Sequence, residues 1–397
     1  MSRERPRILI DSTPLRGESV LHGIGRYVYD VLQGLADTKR EWESELSVEA
    51  LVDLPWVRRA EATTDLADVA ERARTGPRDR DWRLVARRWT TLARVAIERR
   101  VDVVHMPQAR GVPLWLPTRS VVTCYDVIPL RYPKEYLGSE SQRISRWVRD
   151  FHRYRMPTRV ACISQKTATD LALLGVPNER IDVVTTGVDL AQWSTPKLAD
   201  DAERRSRLGV GSRRYVLYVG DCDYRKNVRG MFASLALARR EEDVELVWAG
   251  DLRGPKAPRM KALAAEYGVG DAVRFLGYVA DADLGPLYRD AVALLFISRL
   301  EGFGLPVAEA MSARCPTIVA SDSGCDEVAG DAAIVVGPDD SRAAAEAILR
   351  LVRSEETRQD LARRGAARVP RFDRREMARG YVKSFLHAAR PLRGGRA

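Results

Sequence analysis

The sequence lacks the features that would tie it to a bilayer or to an oxidising compartment. Its 397 residues contain no apolar run near the roughly 20 residues that cross a membrane. The N-terminus, MSRERPRILI, passes directly into a strand-like run without an apolar stretch of signal-peptide length. The five cysteines are scattered and show neither metal-ligand nor redox spacing. We therefore expect a cytoplasmic protein whose thiols are reduced.

Nucleic-acid motifs, internal repeats and low-complexity tracts are also missing. The net charge is nevertheless +10, and ten arginines stand against three acidic residues between Arg72 and Arg100. A basic protein can bind nucleic acid, anionic lipid or phosphorylated substrates. Because no RNA-binding sheet signature is present, nucleic acid is the least favoured of these partners.

Length and patterning predict two α/β domains. A chain of 397 residues exceeds a single core. Apolar runs such as Val101–His105 and Ser120–Cys124 indicate parallel strands buried on both faces. We place a first domain at 1–190, a polar linker at 191–212, a second domain at 213–370, and a terminal helix and tail at 371–397.

The most informative stretch is 298–311, which reads SRLEGFGLPVAEAM. An apolar run of strand length, Ala291–Ile297, precedes it. Gly302 and Gly304 then loosen the backbone, and Pro306 suits the first turn of a helix. A strand, a glycine turn and a helix present backbone N–H groups and a positive dipole end. This arrangement favours a phosphate site.

Two carboxylates mark this stretch, Glu301 in the turn and Glu309 on the helix. Glu309 lies among apolar residues, and a buried carboxylate is costly unless hydrogen-bond donors such as ligand hydroxyls satisfy it. The plainer alternative leaves Glu301 as a loop charge and Glu309 as a solvent-facing helix residue.

A second candidate anion site follows the strand-like run Tyr215–Gly220. Arg225 and Lys226 come directly before the predicted helix Val228–Ala238, with Asn227 as the expected helix cap. Two cations at a helix start suit a diphosphate, although a solvated charge pair is the alternative.

The spacing of Glu301 and Glu309, with G-F-G-L-P between them, resembles the signature of the retaining GT-B glycosyltransferases of family four. G-I-G-R-Y near the N-terminus and R-K-N after the strand at 215 extend the resemblance, which is densest from 215 to 337. It implies an α/β GT-B fold with two Rossmann-like domains facing across a cleft. The C-terminal helix would cross back to the first domain.

The resemblance also implies roles for individual residues. Glu301 would hold the donor sugar, Glu309 the ribose, and Arg225 with Lys226 the leaving diphosphate, without a metal or another cofactor. The implied catalytic residues are Glu301, Asp126, Arg225 and Lys226. The implied donor-binding residues are Gly23, Gly25, Gly220, Arg225, Lys226, Gly277, Tyr278, Val279, Glu301, Gly302, Phe303, Gly304, Leu305 and Glu309.

One block departs from the family pattern. In VVTCYDVIPLRYP the family usually has His before the aspartate, where this chain has Tyr125. Asp126 stays the candidate for a polar contact near the acceptor, and Tyr125 is expected to fill the position of the missing His. His105 also follows a strand, where a lone His is more often structural than catalytic.

The basic stretch from Trp82 to Arg100 predicts an amphipathic helix with two interpretations. We favour a helix packed on the sheet. The alternative is a helix resting on an anionic membrane surface, which Arg143–Arg159 would extend.

The resemblance implies retaining transfer of a hexose, with mannose favoured, from a nucleotide-sugar donor to a glycan or lipid-linked acceptor. We expect this in cell-surface polysaccharide or glycolipid synthesis, in the cytoplasm or at the inner face of the cell membrane. No side chain separates GDP, UDP and dTDP. The alternatives are a GT-B nucleotide-sugar epimerase or hydrolase and a non-catalytic scaffold that binds glycan or lipid.

Overall fold

The computed structural model describes residues 5–16, 23–52, 61–75, 83–109, 118–196 and 198–390. Contacts divide the chain into two units. The first comprises Met1–Gly187 together with Phe372–Ala397, and the second comprises Val188–Arg371. Among the described residues, no helix combines the length and the apolar character needed to cross a bilayer.

The strands of the first unit form one sheet over the described ranges. They are β1 Arg7–Ile10, β2 Ser47–Val52, β3 Glu61–Thr63, β4 Val103–Met106, β5 Arg119–Cys124, β6 Arg159–Cys162 and β7 Ile181–Val183. Their order is β3-β2-β1-β4-β5-β6-β7, and neighbours run parallel except for the antiparallel pair β2 and β3. The predicted parallel strands are therefore confirmed, whereas β3 was not predicted.

Helices cover this sheet. Up to residue 173 they are α1 Gly23–Asp37, α2 Lys39–Trp42, α3 Leu66–Thr75, α4 Arg83–Glu98, α5 Ile128–Arg131, α6 Pro133–Tyr136, α7 Glu140–Arg155 and α8 Gln165–Leu173. In α4, Leu92, Val95 and Ala96 are buried in the core beside the strands. The described part of this helix thus packs on the sheet, as favoured over the membrane-surface alternative. Trp82 and the side chains at 83–90 lie outside the described residues.

The second unit contains a parallel sheet. Its strands are β8 Tyr215–Val219, β9 Glu245–Ala249, β10 Val273–Gly277, β11 Ala293–Phe296, β12 Thr317–Ala320 and β13 Ala333–Val336. Over the described residues their order is β10-β9-β8-β11-β12-β13, and every neighbouring pair runs parallel. β9 and β11 are buried along their whole length, which explains their continuous apolar runs.

The helices of the second unit are α9 Leu190–Trp193, α10 Asp201–Arg207, α11 Val228–Ala238, α12 Lys256–Glu266, α13 Asp281–Asp290, α14 Leu305–Ser312, α15 Cys325–Ala329, α16 Ser341–Arg353 and α17 Glu355–Arg368. Between β8 and β13 these helices alternate with the strands, whereas α9 and α10 precede β8 and α16 and α17 follow β13. Strand, helix, strand alternation with this strand order is the doubly wound arrangement.

The segment predicted to be a linker, 191–212, belongs to the second unit by its contacts. Trp193 of α9 is fully buried, and its ring packs edge-on against Tyr288. Asp201 of α10 accepts hydrogen bonds from both ends of the Arg289 guanidinium fork, at 2.8 and 2.7 Å. The polar composition of this stretch reflects ion pairing rather than an extended connection.

The last helix, α18 (Arg374–Ala389), returns to the first unit. A side chain at Gly34 would place its Cβ 2.4 Å from the Arg374 carbonyl oxygen, so glycine lets α1 and α18 approach closely. The Tyr381 hydroxyl is hydrogen-bonded to Tyr27 at 2.8 Å and to Thr123 at 2.6 Å. The expected return of the C-terminal helix is confirmed, with its start at Arg374 instead of Arg371.

Candidate functional site

Two turns meet at the carboxyl ends of β8 and β11, which are neighbours in the second sheet. The strand order reverses direction between these two strands, and doubly wound sheets bind ligands in the crevice above such a reversal. The first turn contains a 3₁₀ segment, Tyr224–Lys226, directly before α11. The second turn runs from the end of β11 to α14. Both candidate anion sites of the sequence therefore lie at one edge of the sheet.

Glu301 joins the two turns through an ion-pair cluster. Its Oε1 accepts a hydrogen bond from Lys226 Nζ at 2.7 Å, and its Oε2 accepts one from the Arg225 guanidinium. Lys226 also lies over the ring of Phe296, with Nζ 4.8 Å from the centroid. The sequence predicted these three residues separately, as sugar and phosphate contacts, and did not predict that they pair with one another.

The charges of this cluster set the ionisation of Glu301. Burial by itself raises the pKa of this carboxyl, because the charged form loses solvation. The neighbouring Lys226 and Arg225 outweigh burial, so the pKa of Glu301 lies below its usual value. Glu301 is thus an ionised, nearly buried carboxylate beside two cations. A ligand with anionic groups for the cations and hydroxyl groups for the carboxylate can take the place of these ion pairs.

Asn227 does not cap α11 as the sequence predicted. Its side chain makes no capping hydrogen bond, and its backbone is left-handed, with φ of 57°. The amide instead donates to the carbonyl oxygens of Ile297 at 3.1 Å and Pro338 at 2.5 Å, and accepts from Arg299 at 3.0 Å. The side chain lies beside Gly230 in the first turn of α11, but its polar atoms bond to these other partners instead of to the helix amides. Asn227 therefore ties the Arg225–Lys226 turn to the end of β11.

The turn before α14 depends on two glycines with left-handed backbones. Gly304 has φ of +99°, and a Cβ there would lie 2.7 Å from Cys325 Sγ. Gly324 has φ of +88°, and its Cβ would lie 2.6 Å from the Glu301 carbonyl oxygen. Pro306 occupies the first turn of α14 as predicted, and no side chain caps this helix start. Such a helix start favours a negatively charged ligand group.

Glu309 is buried, with 6% of its surface exposed, so the solvent-facing alternative is wrong. Its Oε2 accepts a hydrogen bond from the Tyr288 hydroxyl at 3.0 Å. The sequence reasoning missed Tyr288. A tyrosine on the apolar face of the helix before β11 is the signal that could have suggested it, since buried tyrosine hydroxyls usually find a partner.

The segment predicted to contact the nucleobase follows β10 in the same unit. Gly277 has a left-handed backbone with φ of +73°, Tyr278 is 62% exposed, and Val279 is buried. Gly220 follows β8, and its carbonyl accepts a hydrogen bond from the Trp248 indole at 2.9 Å. The remaining predicted donor residues Gly302, Phe303 and Leu305 lie in the turn and first residue of α14. Their roles stay predictions.

The other candidates lie in the first unit. Gly23 and Gly25 are in the first turn of α1, directly after residues that the structure does not describe. Asp126 accepts a hydrogen bond from the Ile128 backbone at 3.0 Å, and the Tyr125 hydroxyl donates to the Pro107 carbonyl at 2.7 Å. Their catalytic or donor-binding roles stay predictions.

His105 is fully buried, as its structural interpretation expects. Its Nε2 lies 3.0 Å from Thr123 Oγ1, and its ring lies against Tyr381. Burial lowers the pKa of His105 to about 3, so the ring is neutral. It acts as part of the contact between β4 and α18.

Within the described ranges, no group of three or more His, Cys, Asp or Glu side chains is arranged to hold a metal ion. Metal independence of the reaction stays a prediction.

Family models match the chain in two consecutive segments. Residues 21–192 match Glycosyltransferase Family 4, and residues 200–368 match Glycosyl transferases group 1. The two matches correspond to the two halves of the chain, and the second contains every residue of the ion-pair cluster.

Curated relatives match over parts of their length. The chain is 30% identical over 262 residues to O-antigen chain mannosyltransferase B of Escherichia coli, covering 64% of each protein. It is 32% identical over 225 residues to D-inositol 3-phosphate glycosyltransferase of Frankia alni, covering 54% of each. The matched regions therefore span less than two thirds of these relatives.

Solved structures match over almost the whole chain. Sucrose-phosphate synthase from Thermosynechococcus elongatus superposes with a TM-score of 0.73 at 19% identity, covering 97% of this chain and 100% of that one. Anabaena Alr3699/HepE, solved with UDP-glucose, gives a TM-score of 0.70 at 18% identity, covering 96% and 99%. At these identities the likeness shows the fold.

Proposed function

Because the chain belongs to the GT-B glycosyltransferases of the family-four type, we propose that it transfers a hexose from a nucleotide-sugar donor to a glycan or lipid-linked acceptor. The observation that carries the proposal is the cluster of Arg225, Lys226 and Glu301 at the strand reversal of the second sheet. Two cations at a helix start suit a diphosphate, and an ionised carboxylate beside them suits sugar hydroxyls.

The cluster suggests how the donor is accommodated. When a diphosphate enters, Arg225 and Lys226 donate to its oxygens, and Glu301 is released to accept hydrogen bonds from the sugar. Exchanging one anionic partner for another keeps both cations paired throughout, which avoids the cost of a buried unpaired charge. Glu309 takes the ribose hydroxyls, and the backbone near Gly277 lines the base pocket.

The proposed transfer retains the anomeric configuration without a metal. The bond from the anomeric carbon to the diphosphate oxygen breaks, and the acceptor oxygen bonds to the same face of that carbon. The acceptor proton passes to the departing diphosphate. Stabilising the negative charge on this leaving group is the main contribution that the protein makes, through Arg225, Lys226 and the start of α14.

Mannose is the favoured sugar, and cell-surface polysaccharide or glycolipid synthesis the favoured context. The match to an O-antigen chain mannosyltransferase supports this preference. The structure with UDP-glucose is compatible with a nucleotide-sugar donor in general. The nucleotide is to be identified by experiment.

We place the acceptor at an anionic membrane surface on the cytoplasmic side. Helix α7 supports this choice, because Ile144, Trp147 and Val148 are about half exposed on it. Five arginines lie on the same helix against two acidic residues, Glu140 and Asp150, and Asp150 is paired with Arg146 and Arg153. An apolar stripe flanked by arginines is typical of helices that rest on anionic lipid.

A thermal-shift panel tests the donor part of the proposal. The purified protein is heated with GDP-mannose, UDP-glucose, UDP-N-acetylglucosamine, dTDP-rhamnose and the free nucleoside diphosphates. A ligand at about 100 times its dissociation constant stabilises the folded state by ~2.7 kcal/mol. One ligand should stand out, and Glu309→Ala should abolish its effect. If no ligand raises the melting temperature, the non-catalytic scaffold becomes the better interpretation.

Product analysis with the selected donor tests the reaction. Incubation without an acceptor separates transfer from epimerisation or hydrolysis, because a transferase leaves most of the donor intact. Transfer to an acceptor extracted from membranes, followed by assignment of the new anomeric centre by NMR, tests retention. Liposome flotation with and without anionic lipid, comparing the wild type with Trp147→Ser, tests the membrane part.

A further inference from the structure

The carboxylate of Glu309 has a neighbour that no family signature predicted. Glu309 lies on α14, and its Oε2 accepts a hydrogen bond from the Tyr288 hydroxyl at 3.0 Å. Both side chains are buried, with 6% of Glu309 and none of Tyr288 exposed. A hydrogen bond to a charged group in such surroundings is stronger than one between neutral groups. The bond therefore has a strong influence on where the carboxylate points.

Tyr288 is held firmly by its surroundings. It lies on α13, and its ring packs edge-on against Trp193 of α9, with centroids 5.8 Å apart and an interplanar angle of 87°. Asp189 caps α9 by accepting hydrogen bonds from the backbone of Ala191 and Gln192 at 3.1 and 3.4 Å. A ring packed on both its own helix and α9 has little freedom, so the hydroxyl occupies a fixed position.

We propose that Tyr288 is a positioning residue that fixes the Glu309 carboxylate in the orientation that binds the ribose diol of the donor. This inference rests on the proposed function, because it assumes that Glu309 binds ribose. Tyr288 itself does not touch the donor. It acts through the carboxylate.

The geometry of a vicinal diol explains why such positioning matters. The two ribose hydroxyls donate best to a carboxylate whose plane faces them, and each carboxylate oxygen has two lone-pair directions. Oε2 can therefore accept from Tyr288 and from a ribose hydroxyl together, while Oε1 accepts from the other. Without the tyrosine hydroxyl the carboxylate loses one of the contacts that orient it, and part of the binding free energy is spent in orienting it again.

The test compares ribonucleotides with analogues that lack the diol. Calorimetry measures the dissociation constants of GDP, UDP and their 2′,3′-dideoxy analogues for the wild type and for Tyr288→Phe. Tyr288→Phe should raise the dissociation constant of the ribonucleotide that the wild type prefers by about tenfold. This change is the lower end of the effect expected from losing a hydrogen bond to a charged group. Binding of the matching dideoxy analogue should change by less than about twofold, because it offers no diol to Glu309.

Tyr215→Phe is the matched control. Its hydroxyl donates to the Leu287 carbonyl at 2.8 Å, so this variant also loses a buried tyrosine hydrogen bond in the second unit, but one made to a backbone carbonyl instead of to Glu309. It should keep the wild-type preference for the ribonucleotide. In a Glu309→Gln background, Tyr288→Phe should cause little further loss of that preference, because the two residues act as one unit.

The outcomes separate this inference from the proposed function. If Tyr288→Phe weakens ribonucleotide and dideoxy analogue equally, or weakens neither, positioning of the carboxylate is overturned. If the wild type binds diphosphates but does not distinguish the dideoxy analogues, ribose binding by Glu309 is overturned while the donor site stands. If the wild type binds only dTDP, whose deoxyribose has no vicinal diol, the inference is overturned while the donor site stands. If it binds none of GDP, UDP and dTDP, the proposed function fails and the inference falls with it.

Discussion

The two sheets of this chain share one strand order over six strands, although β3 is antiparallel and β7 is an additional strand, and they carry different side chains near the carboxyl ends of their central strands. In the second unit, β8 and β11 lead to Arg225, Lys226 and Glu301, three charges in direct contact. In the first unit, β4 and β5 carry His105 and Thr123, which join Tyr381 in a buried network without a formal charge. One topology therefore supports a cluster with two cations in one unit and, beside the buried Asp11, an uncharged contact of His105, Thr123 and Tyr381 in the other.

Topology determines where in the sheet the crevice lies, and the side chains in the crevice determine its charge and what it can bind. A strand reversal leaves a crevice above the sheet whatever residues occupy it. In the second unit this place is occupied by three charged side chains, which we propose to bind a phosphate and a sugar instead of one another. In the first unit, polar groups near the strand ends are used to hold α18, whose Tyr381 reaches both Tyr27 and Thr123. Four predictions test this contrast.

The largest expected effect comes from removing a cation from the charged crevice. Lys226→Ala should lower kcat about 100- to 1,000-fold, or ~2.7–4 kcal/mol of barrier, if its ammonium stabilises the leaving diphosphate as an oxyanion-hole donor does. Steady-state kinetics with the selected donor measure this loss. Lys261→Ala, an exposed lysine on α12, is the control and should keep kcat within about twofold. Near-normal turnover of Lys226→Ala would contradict the assigned role.

The second prediction concerns the stability of the same crevice. Glu301→Gln removes the carboxylate that pairs with both Lys226 and Arg225, of which Arg225 keeps Asp223 at 3.7 Å. It should lower the free energy of unfolding by about 3 kcal/mol, the lower end for breaking a buried ion pair. Inorganic pyrophosphate should restore part of this loss, because it can pair with the same cations. Urea unfolding with and without pyrophosphate measures both effects.

The matched variant for this comparison is Glu245→Gln. Glu245 lies on β9 and is almost fully buried, and it is paired with Arg274 at 2.7 Å and Arg213 at 3.1 Å. Its removal should also destabilise the protein, but pyrophosphate should give no more recovery than it gives the wild type. Equal recovery in both variants would mean that pyrophosphate acts outside the crevice.

The third prediction contrasts the pH ranges in which the two units lose stability. Burial lowers the pKa of His105 to about 3 in the folded state, from 6.5. The unfolded chain therefore binds an extra proton below pH 6.5, and stability falls by about 1.4 kcal/mol per pH unit until the folded pKa is reached. At pH 5 the loss is about 2 kcal/mol.

The second unit is expected to lose stability in a lower pH range than the first unit. The pKa of Glu301 is lowered, so its contribution is present above pH 4.5 and is lost as pH falls through the lower folded value. Hydrogen exchange of peptides from each unit should therefore show selective loss of protection in the first unit between pH 6.5 and 5. His105→Gln should reduce this selectivity, whereas His387→Gln, at an exposed ion pair with Asp182, should not. Parallel loss in both units would refute the assignment to His105.

The smallest effect is expected from a single hydroxyl of the neutral network. Tyr381→Phe removes the group that links Tyr27 and Thr123 and should lower the free energy of unfolding by about 1 kcal/mol, as for a typical buried hydrogen bond. Donor binding by the second unit should not change. A marked loss of nucleotide affinity in this variant would show that the two networks are not independent.

Part of the candidate site could be predicted before the structure. The run Ala291–Ile297 predicted the buried strand, the glycines predicted the turn, and Pro306 predicted the start of α14. These predictions were possible because each signal reflects a local preference of the backbone. The signature of Glu301 and Glu309 pointed to one family, and both family models match. Arg225 and Lys226 were also recognised from their place before α11.

Other features could not be predicted from local pattern. Asn227 suits a helix cap by residue type, yet its side-chain amide donates to the carbonyl oxygens of Ile297 and Pro338 instead of capping α11. The stretch 191–212 is polar enough for a linker, yet it packs through Trp193 and Asp201. In both cases distant partners outweigh a local preference, and the sequence pattern does not contain those partners.

The alternation of strands and helices, the glycine turns and the identity of the charged residues follow from the amino-acid sequence, since they depend on the chemistry of neighbouring residues. Which of these residues come into contact depends on the folded structure. Lys226 and Glu301 are brought together because β8 and β11 are adjacent in the sheet, and Tyr288 reaches Glu309 because α13 and α14 pack in the same unit. Such contacts depend on strand order and packing, which join segments far apart in the chain.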